Sequence, residues 1–85
     1  MKKIFKYEIV DSKQITIELP MGAIVVDACI QQGNVKLWIE VPQDDRIKEK
    51  RTFKIFGTGV EIPTEAIHRS TLFDGVFVWH IYEVL

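Results

Sequence analysis

Cys29 is the only cysteine in the 85 residues. Neither an internal disulfide framework nor a cysteine-rich zinc site can therefore staple the fold, and a reducing compartment, the cytosol by default, is the expected setting. No apolar run approaches the roughly 18 residues that cross a bilayer, and charged residues return too early after Met1-Lys2-Lys3-Ile4-Phe5-Lys6 to leave room for a signal peptide. The expectation is a chain that neither spans a membrane nor is secreted by that route. No charge of one sign dominates either. Eleven Lys plus Arg stand against twelve Asp plus Glu, a formal net charge of −1. No global field then draws the protein to nucleic acid or anionic lipid, and any such binding has to come from a local patch. Internal repeats, low-complexity tracts, linkers and the pattern of a long amphipathic helix are also missing.

What is present is the composition of a folded chain, 47 % hydrophobic and 27 % charged, far from the profile of disorder. The length allows one domain, residues 1–85. A domain of this size buries only about 60–65 % of its unfolded surface, so its stability should be modest and a second subunit would help.

Period-two patterning and turn residues divide the chain into short strands. The first run is Ile4 to Val10, with Phe5, Tyr7 and Ile9 on one face, before a turn at Asp11-Ser12-Lys13. In Gln14 to Leu19, Ile15, Ile17 and Leu19 alternate with Gln14, Thr16 and Glu18, as a strand buried on one side demands. Pro20-Met21-Gly22 ends it. Ala23 to Gln31 should place Val26, Ala28 and Ile30 inward, and Gln32-Gly33-Asn34 reads as a hairpin turn. In the fourth run Val35, Leu37, Ile39 and Val41 form the apolar set, leaving Lys36, Trp38 and Glu40 opposite.

Pro42 to Lys50 carries six charges in nine residues and reads as a solvated loop or short exposed turn. Arg51 to Phe56 is the fifth strand, Phe53 and Ile55 facing in and Thr52, Lys54 and Phe56 out. After Gly57-Thr58-Gly59, Ile62 to Ile67 suits a single helical turn with Pro63 near its start. The sixth strand spans Arg69 to Phe73, and Asp74-Gly75 is a hairpin signal. Val76 to Val84 is almost wholly apolar and predicts a central strand covered on both faces. Antiparallel strands every 8–12 residues with tight turns indicate an all-β fold, a small antiparallel sandwich or open barrel of six to seven strands with at most one short helical turn.

Several short motifs follow one another along the chain: Ile4-Phe5-Lys6-Tyr7, Leu19-Pro20-Met21-Gly22-Ala23, Leu37-Trp38, Arg51-Thr52-Phe53, Gly57-Thr58-Gly59 and Val78-Trp79-His80-Ile81-Tyr82-Glu83. In these motifs the sequence resembles a family of small uncharacterised tailed-phage and prophage proteins. The resemblance implies a phage accessory protein with no established activity. Where that pattern often has histidine after Gly-Thr-Gly, this chain has Val60, which argues against imidazole chemistry in the loop.

No catalytic order of Ser, His and Asp and no metal-ligand spacing stands out, so no enzyme activity, metal or cofactor is expected. His68 and His80 lack the further ligands of a metal site, and His80 reads more simply as a strand histidine bonded to a neighbour. Cys29 would need a base, for which His80 is the only strand candidate. Gly57, Thr58 and Gly59 resemble a fragment of a phosphate loop, but Val60-Glu61-Ile62-Pro63 supplies neither the lysine nor the helix start, so a structural turn is the simpler reading.

The aromatic set carries more. Trp38, Phe56 and Trp79 fall opposite the regular apolar series, with Lys36, Lys54 and Arg51 beside them in sequence. If the sheet is covered on both sides, these rings are core. If not, they form a face that anchors a protein partner, host or phage, or a second copy in a homodimer. Stacking on single-stranded nucleic acid is the lesser alternative at this net charge, and sequestration of a small nucleotide signal near Gly57–Gly59 is another. The favoured expectation is a non-catalytic cytoplasmic accessory protein, an inhibitor of a host defence system, that binds a protein through Trp38, Phe56, Trp79, Lys54 and Arg51.

Overall fold

The computed structural model describes residues 1–9, 13–43 and 46–84. It contains seven strands: β1 (Lys2–Ile9), β2 (Gln14–Pro20), β3 (Ile24–Gln31), β4 (Asn34–Pro42), β5 (Lys48–Gly57), β6 (Ile67–Asp74) and β7 (Phe77–Val84). They form two antiparallel sheets, one ordered β1-β4-β3 and the other β2-β5-β7-β6. The fold is thus the expected all-β sandwich or open barrel. The described residues contain no helix, so none is long and apolar enough to cross a membrane. Val10, Asp11 and Ser12 of the expected first strand and turn, and Asp44 and Asp45 of the charged segment, lie outside the described residues.

The inner faces of the two sheets supply the core. Leu19, Leu37, Ile39, Phe53 and Ile81 are completely buried, with Ile9, Ile17, Ala28, Val35 and Val41 around them. The alternation expected in β2 and β4 is the one that packs. β3 runs close to β6 and draws the two sheets together along one side, whereas β1 and β2 bond only to β4 and β5 respectively. Phe5 is on the inward face of β1, yet it is 47 % exposed. It borders a cleft that separates it from Glu18, Pro20 and Lys48 of the four-stranded sheet.

The structure corrects several details. In β3 the register slips between Val25 and Asp27, so Val26 is an extra residue, 46 % exposed, and Val25 takes the inward place beside Ala28 and Ile30. A bulge inserts one residue against the partner strand and inverts the phase of everything before it. Lys48–Lys50, expected in the loop, extend β5 because they pair with Glu18–Pro20 of β2, although their side chains stay exposed. Ile62–Ile67 makes no helical turn. A bond from the Ala66 N–H to the Pro63 carbonyl at 3.0 Å closes a β-turn there. β7 is central in its sheet, but only its inner face is deeply buried, through Ile81 and Glu83. Val78, His80, Tyr82 and Val84 on the outer face are half-buried.

The tight turns carry the positive backbone angles. The β3–β4 hairpin turns on Gln32 (φ 53°) and Gly33 (φ 79°), a type I′ pair. Asn34, expected to share that role, is instead the first residue of β4.

Candidate functional site

The hairpin joining β6 to β7 carries three exposed large apolar side chains. Asp74 pairs with Phe77, leaving Gly75 and Val76 as a two-residue loop. Gly75 at φ 60° supplies the first central residue of a type II′ turn. Phe73, Val76 and Phe77 are 78 %, 91 % and 58 % exposed. Phe77 and Trp79 are two residues apart and so share a strand face. Their rings stack at 5.7 Å between centroids and 17° between planes. On the core side Trp79 sits against Gly57, where an added Cβ would come 3.7 Å from the indole Cζ3, and the Lys13 ammonium lies 5.1 Å from the ring. Trp79, Ile9, Ile30, Ile55, Lys13 and Asp74 border a hollow of about 250 Å³ at this end of the molecule. The indole thereby links the interior to the protruding tip.

The other expected binding residues are not gathered with Trp79. Phe56 pairs with His80 and Gly57 with Trp79, and successive rungs of a ladder point to opposite faces. Phe56 therefore lies on the outer face of the four-stranded sheet. There it is 4 % exposed, edge-on to Tyr82 at 5.8 Å and 5.2 Å from the Lys54 ammonium. Trp38 is in the other sheet, at the centre of its outer face between Lys6 of β1 and Asp27 of β3. It is half-buried, with the Lys6 ammonium 5.9 Å away. One shared face bearing Trp38, Phe56 and Trp79 does not exist. Alternation within a strand does not carry the pairing that fixes which strands share a sheet.

Arg51 faces inward. Its Nε and Nη2 donate to the two carboxylate oxygens of Glu83 at 2.6 and 2.9 Å, and Nη1 donates to the Ala23 carbonyl at 2.5 Å. Arg69, displaced by a second bulge between His68 and Ser70, adds bonds of 2.7 and 3.2 Å to the same carboxylate. The hydrogen-bonded Arg51 guanidinium, with Arg69 assisting, holds the Glu83 carboxyl below the usual carboxylate range against the opposing pull of burial. Glu83 in turn raises Arg51. These charges are spent on one another. A similar arrangement occupies the outer face of the three-stranded sheet, where the buried Lys36 ammonium and the Asn34 amide both bind Glu8. Hydrogen bonding to Lys36 is the main cause that lowers the Glu8 carboxyl.

Gly57-Thr58-Gly59 forms a turn, closed by the Val60 N–H on the Gly57 carbonyl at 3.3 Å, with Gly59 at φ 88°. The Thr58 hydroxyl is 3.0 Å from His80 Nε2. His80 Nδ1 is 3.2 Å from the Thr71 hydroxyl, which is 2.8 Å from His68 Nε2. His80 is thus a strand histidine held by its neighbours. Cys29 lies on the outer face of the three-stranded sheet, in register with Lys36, and is not brought to His80. Among the described residues no group of three His, Cys, Asp or Glu is placed to hold a metal ion.

Phe73, Val76 and Phe77 were not singled out in the sequence. Their signal was the loss of alternation after Asp74-Gly75, which reads equally as a strand covered on both faces.

The chain belongs to the family described as Domain of unknown function (DUF7352), whose model matches residues 1–85. No curated protein and no solved structure matches it.

Proposed function

We propose that this chain is a non-catalytic accessory protein that binds another protein through the tip of the β6–β7 hairpin, with Trp79 and Phe77 as its anchor. The observation that carries the reading is the solvent exposure of Val76 and Phe77 at a tight two-residue turn, beside an indole already stacked in place, with Phe73 exposed on the other face of the same hairpin. Large apolar side chains held out in water cost free energy, and clustered ones mark contact surfaces. Aromatic residues on a rigid element lose little conformational freedom when they dock, and Trp and Tyr are over-represented among the residues that dominate binding energy. Phe56, packed edge-on under Tyr82, offers no free ring on which a base could stack, so a protein partner is favoured over single-stranded nucleic acid.

The resemblance to tailed-phage and prophage proteins supports a host-cell setting in the cytoplasm, and small phage accessory proteins often block host defence systems. The proposed role is therefore inhibition of such a system by occupying one of its proteins.

The test is affinity capture from infected cells with the wild-type chain and with Val76→Asp and Phe77→Ala. Loss of a captured protein in both variants, with unchanged melting temperatures, supports the reading. Capture that survives both substitutions overturns it. Light scattering separates a second possible occupant: a dimer that Val76→Asp dissociates makes another copy of this chain the partner of the tip.

A further inference from the structure

The side of the molecule opposite the β3–β6 contact remains open. Between β1 and β2 lies a cleft of about 330 Å³, bordered by Phe5, Tyr7, Glu18, Pro20, Val41 and Lys48. The Gln43 N–H donates to the Met1 carbonyl at 3.0 Å, which fixes the phase of the β1–β4 ladder. Alternate residues of an antiparallel pair exchange bonds with the partner strand, so Lys3, Phe5, Tyr7 and Ile9 are bonded to β4. The backbone N–H and C=O groups of Ile4, Lys6 and Glu8 then point the other way, along an edge that no described strand covers.

A free edge of this kind is a template for an added strand, and its charges select what can be added. β1 carries Lys2, Lys3 and Lys6, and Lys48 stands across the cleft. Lys2 has only a largely exposed contact with Glu40 at 3.3 Å, and Glu8 at the far end is taken by Lys36. Pairing β1 with the β1 of a second copy would set these lysines against one another. The edge of β2 is a poorer template, because Glu18 adds negative charge there and Pro20 has no N–H to give. Inward, half-covered Phe5 and Tyr7 offer an apolar strip to every second residue of an incoming strand.

We infer that β1 accepts an extended segment of a partner protein in which acidic residues alternate with apolar ones. The segment bonds to the Ile4 and Lys6 backbone, packs its apolar side chains on Phe5 and Tyr7, and sets its carboxylates on the outer face beside Lys2 and Lys6. This surface is distinct from the hairpin tip and does not depend on it.

Amide exchange by NMR tests the inference, with a synthetic peptide of about ten residues alternating valine and glutamate as the probe. Binding should slow exchange at Ile4 and Lys6 by about tenfold or more, while Phe5 and Tyr7, already bonded to β4, change little. Lys2→Glu with Lys6→Glu should weaken binding by about tenfold. Three results overturn the inference: no slowing at Ile4 and Lys6, equal slowing by a control peptide of the same length alternating valine and lysine, or equal slowing by oligothymidylate, which would make the lysines a site for polyanions. Because the exchange pattern is read on the wild-type chain, the inference stays testable even if the charge-reversed variant folds poorly.

Discussion

Arg51 of β5 holds both carboxylate oxygens of Glu83 of β7 inside the sandwich, at 2.6 and 2.9 Å, with little of either side chain exposed. The pair makes stability depend on acid. The folded state holds the Glu83 carboxyl below its ordinary value of 4.5, so the unfolded chain takes up a proton first as pH falls. The stabilisation is complete above the unfolded value and is lost as pH drops through the folded one. Denaturant midpoints measured from pH 7 downwards should hold steady until about pH 5 and then decline. Glu83→Gln should flatten that decline without abolishing it, because Glu8 is lowered as well. A decline of unchanged steepness in the variant would show that other carboxyls control it.

Removing one member of this network should cost more than replacing several. Glu83→Ala leaves Arg51 charged and enclosed without its main partner, and a loss of about 3 kcal/mol is expected. Desolvating the charges offsets much of their attraction, so adding Arg51→Met to Glu83→Ala should recover part of the loss. The recovery is incomplete because the Ala23 carbonyl also loses its Arg51 donor. Urea unfolding of the wild type and both variants measures the difference, and a double variant weaker than Glu83→Ala would contradict the argument.

The strands with strict alternation were legible in the sequence because burial on one face leaves a direct mark. Ile17 and Leu19 of β2, and Val35 through Val41 of β4, are buried where the pattern puts them. The places of Val26 and Arg69 were not legible, because a bulge is a relation between two strands and neither strand shows it alone. The same limit scattered the aromatic set. Which face Trp38 or Phe56 takes follows from alternation, but which faces belong to one surface depends on sheet order. The hairpin tip stayed hidden for a different reason: beyond the end of the core, an apolar run no longer reports burial.

Gln32 is the only described non-glycine residue at positive φ, 53° in the type I′ turn between β3 and β4. The Cβ of an ordinary side chain strains the backbone there, whereas asparagine enters this region more readily than glutamine and Asn-Gly is the preferred pair for the turn. Gln32→Asn should raise stability by about 0.5 kcal/mol while leaving the strand register unchanged. Equilibrium denaturation reads the gain. A loss would mean that Gln32 has a role beyond the turn geometry.

The two stacked rings of the hairpin tip should separate binding from stability. Phe77 is 58 % exposed, so Phe77→Ala removes little buried surface and should change stability by about 0.5 kcal/mol or less. Trp79 is half-buried against Gly57 and borders the end of the core. Truncating a fully buried tryptophan costs about 3–5 kcal/mol, so Trp79→Ala should cost about 2 kcal/mol. Both variants should lose the captured partner, but only Trp79→Ala should melt measurably earlier. If Phe77→Ala melts as early as Trp79→Ala, the tip is part of the folded core and its exposure is no guide to docking.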